Sequence, residues 1–283
     1  MGPAFTDSHV HFWDTALRPY PWLAGVPQIA GAHGPAELDR DAAPSAPSRI
    51  VFVQADCDRS FAVDEVEWVE SLAQVDPRIL GIVAFAPMNE GDRTLGALAA
   101  LAALPLVKGV RHLIQGETDP GFCLTPAFIA GVTECGRLGL SFDLCVRHPQ
   151  LDSVIGLVRA CPGTAFILDH AGKPDLRADM LDSWRDHVRE LAACPNVACK
   201  VSGLVTEAGT AALDPARFVP TIGLLLEAFG PARLLFGSDW PVVKLASPYP
   251  TWLAMARKLL SSLPAADQAA IFNDNAGRIY RLG

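Results

Sequence analysis

Eight short apolar runs, each about one strand-and-helix unit from the next, constrain this chain more than any other feature. They are Phe5–Phe12, Arg49–Ala55, Leu80–Ala86, Leu106–Leu113, Leu140–Val146, Ala165–His170, Val197–Leu204 and Arg233–Trp240. Successive starts lie 44, 31, 26, 34, 25, 32 and 36 residues apart. A strand with its returning helix takes roughly 30. Ile50-Val-Phe-Val53 and Phe166-Ile-Leu168 are apolar on both faces, as buried parallel strands are. Helical patterns fill the gaps at Val63–Val75, Leu95–Leu104, Pro126–Leu138, Leu151–Ala160, Met180–Ala193, Pro215–Phe229, Thr251–Leu260 and Pro264–Tyr280. Eight strands alternating with helices predict one (β/α)8 TIM barrel over residues 1–283, with room for distortion. A doubly wound sheet is the alternative, but no Gly-rich dinucleotide loop follows strand 1.

The gap after strand 1 departs from the pattern. Residues 13–48 hold Pro19, Pro21, Pro27, Pro35, Pro44 and Pro47, with little helical periodicity. Long loops of this kind sit on the C-terminal face of a barrel, where active sites lie. Trp13, Tyr20 and Trp22 read equally as a wall over that face, with Trp22 a substrate contact, or as aromatics packing a Pro-stiffened loop.

Composition narrows the function. The chain carries 23 Lys and Arg against 31 Asp and Glu, a net charge of -8. The basic footprint of a nucleic-acid binder is therefore absent. Nothing approaches the ~18 uninterrupted apolar residues of a membrane span. Seven Cys, an odd number without C-x-x-C spacing, speak against a disulfide framework and fit a reducing cytoplasm. The N-terminus lacks the basic and apolar regions of a signal peptide. Gly2 and Thr6 match the myristoylation pattern, but Phe5 and Thr6 are expected to enter the first strand.

Three polar clusters sit where apolar runs end. Strand 1 contains Asp7-Ser-His9-Val-His11, and side chains two apart on a strand point the same way, so His9 and His11 converge on one ion. Strand 6 ends in Leu168-Asp169-His170-Ala-Gly-Lys173-Pro174, and strand 8 in Phe236-Gly-Ser-Asp239-Trp-Pro241. Imidazoles plus one carboxylate suit a catalytic Zn²⁺ with an open position for water. Taken singly, each residue reads as a hydrogen-bonded structural group; the set reads as an active site. On strand 8, Gly237 shares a face with Asp239, leaving room in the lumen for substrate, while Pro241 ends the strand.

These motifs resemble the amidohydrolase superfamily, and within it the amidohydrolase-2 branch of sugar-lactone hydrolases of the L-fuconolactonase and L-rhamnonolactonase kind. The resemblance spans nearly the whole chain. It includes Phe12-Trp13 followed by Tyr20-Pro-Trp22, Lys108-Gly-Val-Arg111-His112, Cys199-Lys-Val-Ser-Gly-Leu-Val-Thr-Glu-Ala208 and Leu235–Tyr249. It implies a lactone substrate, Asp239 as general base, and His9, His11 and His170 as metal or substrate ligands. The ligand set for one divalent ion, Zn²⁺ by donor type, is then His9, His11, His170 and Asp239. The larger superfamily often bridges two metals with a carboxylated Lys or a Glu at the end of strand 4. Here Lys108 starts that strand and Arg111 and His112 end it, which disfavours two metals. Relatives that work without metal, and a lactone isomerase in the same branch, mark the alternatives; a noncatalytic sugar-acid binder is a rival of another class.

Periodicity adds substrate-binding candidates. On strand 5, Ser141, Asp143, Cys145 and Arg147 share one side, while Phe142, Leu144 and Val146 face the helices. On strand 7, Lys200 and Ser202 share a face, and an ammonium within an apolar run needs a partner. Lys200 either pairs with Asp143 or contacts substrate. Arg111 offers its planar fork to a carboxylate, to sugar hydroxyls or to an internal ion pair. His112 and Arg147 complete the set, and His148 reads as ligand or loop. Asp64, Glu65, Glu67 and Glu70 read as a solvated helix face. Glu207 reads as a substrate contact or a helix start. Trp68, Trp184 and Trp252 read as packing residues. The number of copies stays open, with a homo-oligomer among the allowed states.

Overall fold

The computed structural model describes residues 3–176, 181–209 and 214–283. Gly2 of the acylation pattern and Met180 of one expected helix lie outside them. Eight parallel strands form one sheet in chain order: strand 1 Thr6–Val10, strand 2 Arg49–Val53, strand 3 Ile79–Phe85, strand 4 Val107–Arg111, strand 5 Ser141–Leu144, strand 6 Ala165–Leu168, strand 7 Val197–Val201 and strand 8 Leu234–Phe236. The sheet curls until its ends meet. A parallel bridge joins Val10 to Trp240, where the His11 N–H donates to Trp240 O at 2.8 Å and the Asp239 N–H to His9 O at 2.9 Å. The chain is a (β/α)8 TIM barrel, as its periodicity predicts.

Side-chain alternation sorts the two faces of each strand. The outward set packs under the helices, with Phe128, Phe142 and Phe166 in successive edge-to-face contacts at 5.9 and 6.2 Å. The inward set is apolar low in the lumen, where Val51, Val53, Val83, Ile167, Ala198 and Leu235 meet Ala276 and Tyr280 from the last helical segment. That segment plugs the bottom of the barrel. Above it the inward residues turn polar.

The strands stop earlier than the apolar runs. Strand 6 ends at Leu168 rather than His170, strand 7 at Val201 rather than Leu204, and strand 8 at Phe236 rather than Trp240. The residues beyond leave the ladder to face the mouth. Most helices match their patterns, such as Ala62–Val75 and Leu151–Ala160. The Pro-rich stretch after strand 1 corrects the expectation of an irregular loop. Trp13–Asp14 pairs antiparallel with Ala32–His33, and Pro35–Ala42 is an α-helix. Pro35 opens it, and Glu37 Oε2 accepts the Gly34 N–H at 3.1 Å. A proline that removes an unneeded first-turn donor starts a helix rather than breaking it. Among the described residues, no helix is long and apolar enough to cross a membrane.

Glu65 is a second correction. It is 1% exposed, not part of a solvated face. Its Oε1 accepts the Ala55 N–H at 3.2 Å, where strand 2 gives way to its loop. Burial pushes its carboxyl from 4.5 up to about 7. Between those values the unfolded chain ionises Glu65 while the folded chain keeps the proton. The stability this group contributes below pH 4.5 is thus lost as pH rises through about 7. Glu65→Gln should match the wild type near pH 4 and gain on it progressively towards pH 8 in urea unfolding. A gap that does not change with pH would contradict this.

Candidate active site

The C-terminal ends of strands 1, 6, 7 and 8 build the centre of the mouth. His9 and His11 stand two apart on and just past strand 1, both inward as alternation requires. His170 comes from a tight turn after strand 6 in which His170, Ala171 and Lys173 are all left-handed, at φ of 53, 53 and 50°. Asp239 is left-handed too, at φ 63°. Such backbone costs of order 1–3 kcal/mol per non-glycine residue and collects at functional sites. Packing holds it: Trp184 Nε1 donates to Ala171 O at 2.8 Å, and Trp252 Nε1 to Gly237 O at 3.0 Å.

Two glycines fit the imidazoles. At Gly203, φ is +65° and a Cβ would stand 2.6 Å from His170 Nδ1. At Gly237 a Cβ would stand 2.8 Å from the His9 Cβ. Gly237 therefore makes room for His9, not for substrate. Asp7 locks the same seam, its Oδ1 accepting the Ser238 N–H at 2.8 Å and its Oδ2 the Tyr249 hydroxyl at 2.9 Å.

Asp239 is the focus. Its Oδ1 lies 3.3 Å from His11 Nε2, 3.7 Å from His9 Nε2 and 3.8 Å from His170 Nε2. Burial alone would raise this carboxyl, but His170, His11 and His9 hold it well below the usual range. Burial lowers both His9 and His170, the latter to about 4, so both rings are neutral. Each Nδ1 is occupied: His11 by the Val53 carbonyl at 2.7 Å, His170 by the Ser202 hydroxyl at 2.8 Å, and His9 by Asp169 Oδ1 at 3.3 Å with the Lys200 ammonium at 3.1 Å.

Below lies a buried ionic network. Lys200 Nζ is 2.6 Å from Asp143 Oδ2 and 2.9 Å from Asp169 Oδ1. Asp143 also accepts the Tyr280 hydroxyl at 2.7 Å. Arg111 Nη1 donates to Asp169 Oδ2 at 3.1 Å and its Nη2 to Gln54 O at 2.6 Å. Lys200 is 0% exposed, so it pairs beneath the cavity and does not line it.

The cavity above holds about 240 Å³ and is lined by His11, Arg111, His170 and Asp239 from the expected set, with Trp22 on its wall. Trp22 Nε1 donates to Ala55 O at 2.9 Å. Three other expected contacts sit elsewhere. His112 borders an adjoining cavity of about 210 Å³, among Phe85, Phe122 and Phe128, with its Nδ1 accepting the Met88 N–H at 3.1 Å. Arg147 is exposed, because strand 5 stops at Leu144 and Gln150 Oε1 takes the Arg147 N–H at 2.9 Å to start a turn. His148 lies in that turn. Cys145 lines the larger cavity too, on the lumen side that alternation gave it, while periodicity missed Asp56, Gln115 and Lys173 on the same lining. Lys173 stood within the strand-6 motif; Asp56 and Gln115 follow strand ends where alternation no longer applies.

The donor set fits one divalent cation. Three Nε2 atoms lie within 3.8 Å of Asp239 Oδ1, and His9, His170 and Asp239 offer ligand atoms within 4.8 Å of one another. Arg111 Nη1 stands 3.5 Å from His9 Nε2 at one edge of this group. Tetrahedral bonds of about 2.0 Å would set such ligands roughly 3.3 Å apart. Charge agrees: Asp143, Asp169 and Asp239 against Lys200 and Arg111 leave one negative charge for the ion to offset. Cys145, Asp169 and His170 also cluster within 4.8 Å, but Asp169 is committed to Lys200 and Arg111, and burial pushes the Cys145 thiol up.

A TIM barrel with a buried carboxylate among imidazoles beside a cavity at its C-terminal mouth has the site architecture of an enzyme. The amidohydrolase pattern matches residues 6–282, and the chain belongs to that hydrolase family. It is 35% identical to an L-fucono-1,5-lactonase of Burkholderia multivorans, covering 100% of this chain and 97% of that protein. It is 31% identical to an L-fucono-1,5-lactonase of Burkholderia ambifaria, covering 98% and 95%. A crystal structure of an amidohydrolase from Burkholderia multivorans with bound zinc superposes with a TM-score of 0.89 at 34% identity, covering 99% of this chain and 100% of that one.

Proposed function

We propose that this enzyme hydrolyses a sugar lactone to its hydroxy acid, with Asp239 as general base. The observation that carries the reading is the Asp239 carboxylate, kept ionised among three imidazoles at the floor of a cavity that takes a monosaccharide-sized ring. The relatives make L-fucono-1,5-lactone the first substrate to try.

His9, His11, His170 and Asp239 are the residues that would hold one divalent ion, Zn²⁺ by donor type. When bound, it supplies Lewis-acid polarisation and a more acidic water. The chain's own residues do the rest. Asp239 takes a proton from water as its oxygen attacks the ring carbonyl. Arg111 is 3% exposed and spends both terminal nitrogens on Asp169 and Gln54, which fixes its plane at the cavity wall. Its Nε is buried without a hydrogen-bond partner. Trp22 closes the side of the cavity. Seven unpaired thiols suit a reducing compartment, and we place the enzyme in the cytoplasm on that ground.

A pH-indicator screen of aldonolactones tests the reading, because each turnover releases one acid. Hydrolysis of one or more sugar lactones is expected, and inertness across 1,4- and 1,5-lactones would overturn it. Elemental analysis of the active preparation should find at most one divalent ion per chain. Two ions per active chain would contradict the single site, and full activity after complete chelation would assign the imidazoles to hydrogen bonding alone.

A further inference from the structure

Opening the ring leaves an alkoxide, which needs a proton as the carbon–oxygen bond breaks. Asp239 starts ionised and holds only the proton it takes from water, so a separate donor lets attack and ring opening each have their own proton carrier. The imidazoles have their Nδ1 atoms directed to Val53, Ser202 and Asp169, and their Nε2 atoms face Asp239. Arg111 lines the cavity, but a guanidinium does not give up its proton in a protein. Asp56 stands exposed at the rim, its carboxyl raised by burial against the pull of Arg111 and Arg59. Trp22 spends its N–H on Ala55 O.

Lys173 is placed to be that donor, on the same cavity wall as Gln115 and Cys145. Its ammonium is oriented, not adrift. Nζ donates to Gln115 Oε1 at 2.6 Å and stands 4.0 Å from Glu207 Oε1. Its backbone is left-handed, with its N–H on His170 O at 2.9 Å, so the turn that aims His170 also aims Lys173. An ammonium has three protons, and Gln115 and Glu207 leave one for a third partner.

We infer that Lys173 is the general acid that protonates the departing ring oxygen. The inference rests on the lactonase reading and adds the second half of its proton balance. Water oxygen bonds to the carbonyl carbon, and Asp239 takes one proton. The ring carbon–oxygen bond breaks, its electron pair goes to the ring oxygen, and Nζ–H passes to that oxygen. The product acid and protonated Asp239 then hold two protons. One restores Lys173 and one leaves to solvent, so a hydroxy carboxylate and one proton are the net yield.

The test compares Lys173→Met and Lys173→Arg with wild type on an oxygen lactone and on the thiolactone with sulfur in the ring. A thiolate is a far weaker base and leaves without an acid. Lys173→Met should lose about 10²–10⁴-fold in kcat on the oxygen ring, the span of general acid catalysis, with KM little changed. The thiolactone should be largely spared, and Lys173→Arg, which keeps the charge but holds its proton, should fail like Met. Equal loss on both rings, loss confined to KM, or full activity with Arg would make Lys173 a binding residue and overturn the proposal. If the wild type turns over no thiolactone, the split of kcat from KM and the Arg variant decide. A wild type that opens no lactone at all would instead defeat the lactonase reading itself.

Discussion

Asp239→Asn is expected to lower kcat by about 10²–10⁴-fold while the barrel stays folded. The substitution removes the basic oxygen and almost nothing else. Asp239 sits at φ 63°, a conformation that Asn adopts more readily than most residues, so the turn keeps its shape. The backbone N–H stays on His9 O, and the side chain keeps an oxygen towards the imidazoles. What is lost is the full charge that three neighbouring rings hold ionised. Binding of product should change far less than turnover. Steady-state kinetics with a thermal melt checks this: near-normal kcat would assign water activation to another group, and a collapsed melt would show that Asp239 holds the seam.

Lys200→Met is expected to cost about 3–5 kcal/mol of folding stability, the cost of breaking a buried ion pair by removing one partner. Lys200 is wholly buried and lies within 3 Å of both Asp143 and Asp169. Without the ammonium these two carboxylates face each other in the lumen with Arg111 as their remaining close cation. Asp143 already sits at about 6 because burial outweighs Lys200 and Tyr280. Its protonation in the variant would relieve part of the repulsion and loosen the support beneath His9. Urea unfolding gives the number; a loss below ~1 kcal/mol, the range of surface pairs, would mean the network is solvated in practice.

The sequence carried the barrel because strand spacing and two-faced apolar runs are global signals that local irregularity does not erase. It also carried His9, His11, His170 and Asp239, since each falls in or just past an apolar run beside residues of the same chemistry. It was less informative where regular structure ends. Alternation projected Arg147 into the lumen from strand 5, but the ladder stops at Leu144 and a turn carries Arg147 to the surface. It placed His112 with the mouth, whereas the ring turns among phenylalanines beside it. Asp169 gave no sign of its part as counter-charge to His9, Lys200 and Arg111, which come from three other strands. Glu65 looked like its exposed neighbours Asp64 and Glu67, because one buried carboxylate on a charged helix leaves no periodic trace.

Turnover of L-fucono-1,5-lactone in ¹⁸O-water, read by mass spectrometry and NMR, tests the central claim most directly. Attack of activated water on the ring carbonyl predicts an open hydroxy acid with one heavy oxygen, all of it in the carboxylate. An isomeric lactone without heavy oxygen, or label in the hydroxyl that leaves the ring, would contradict the account.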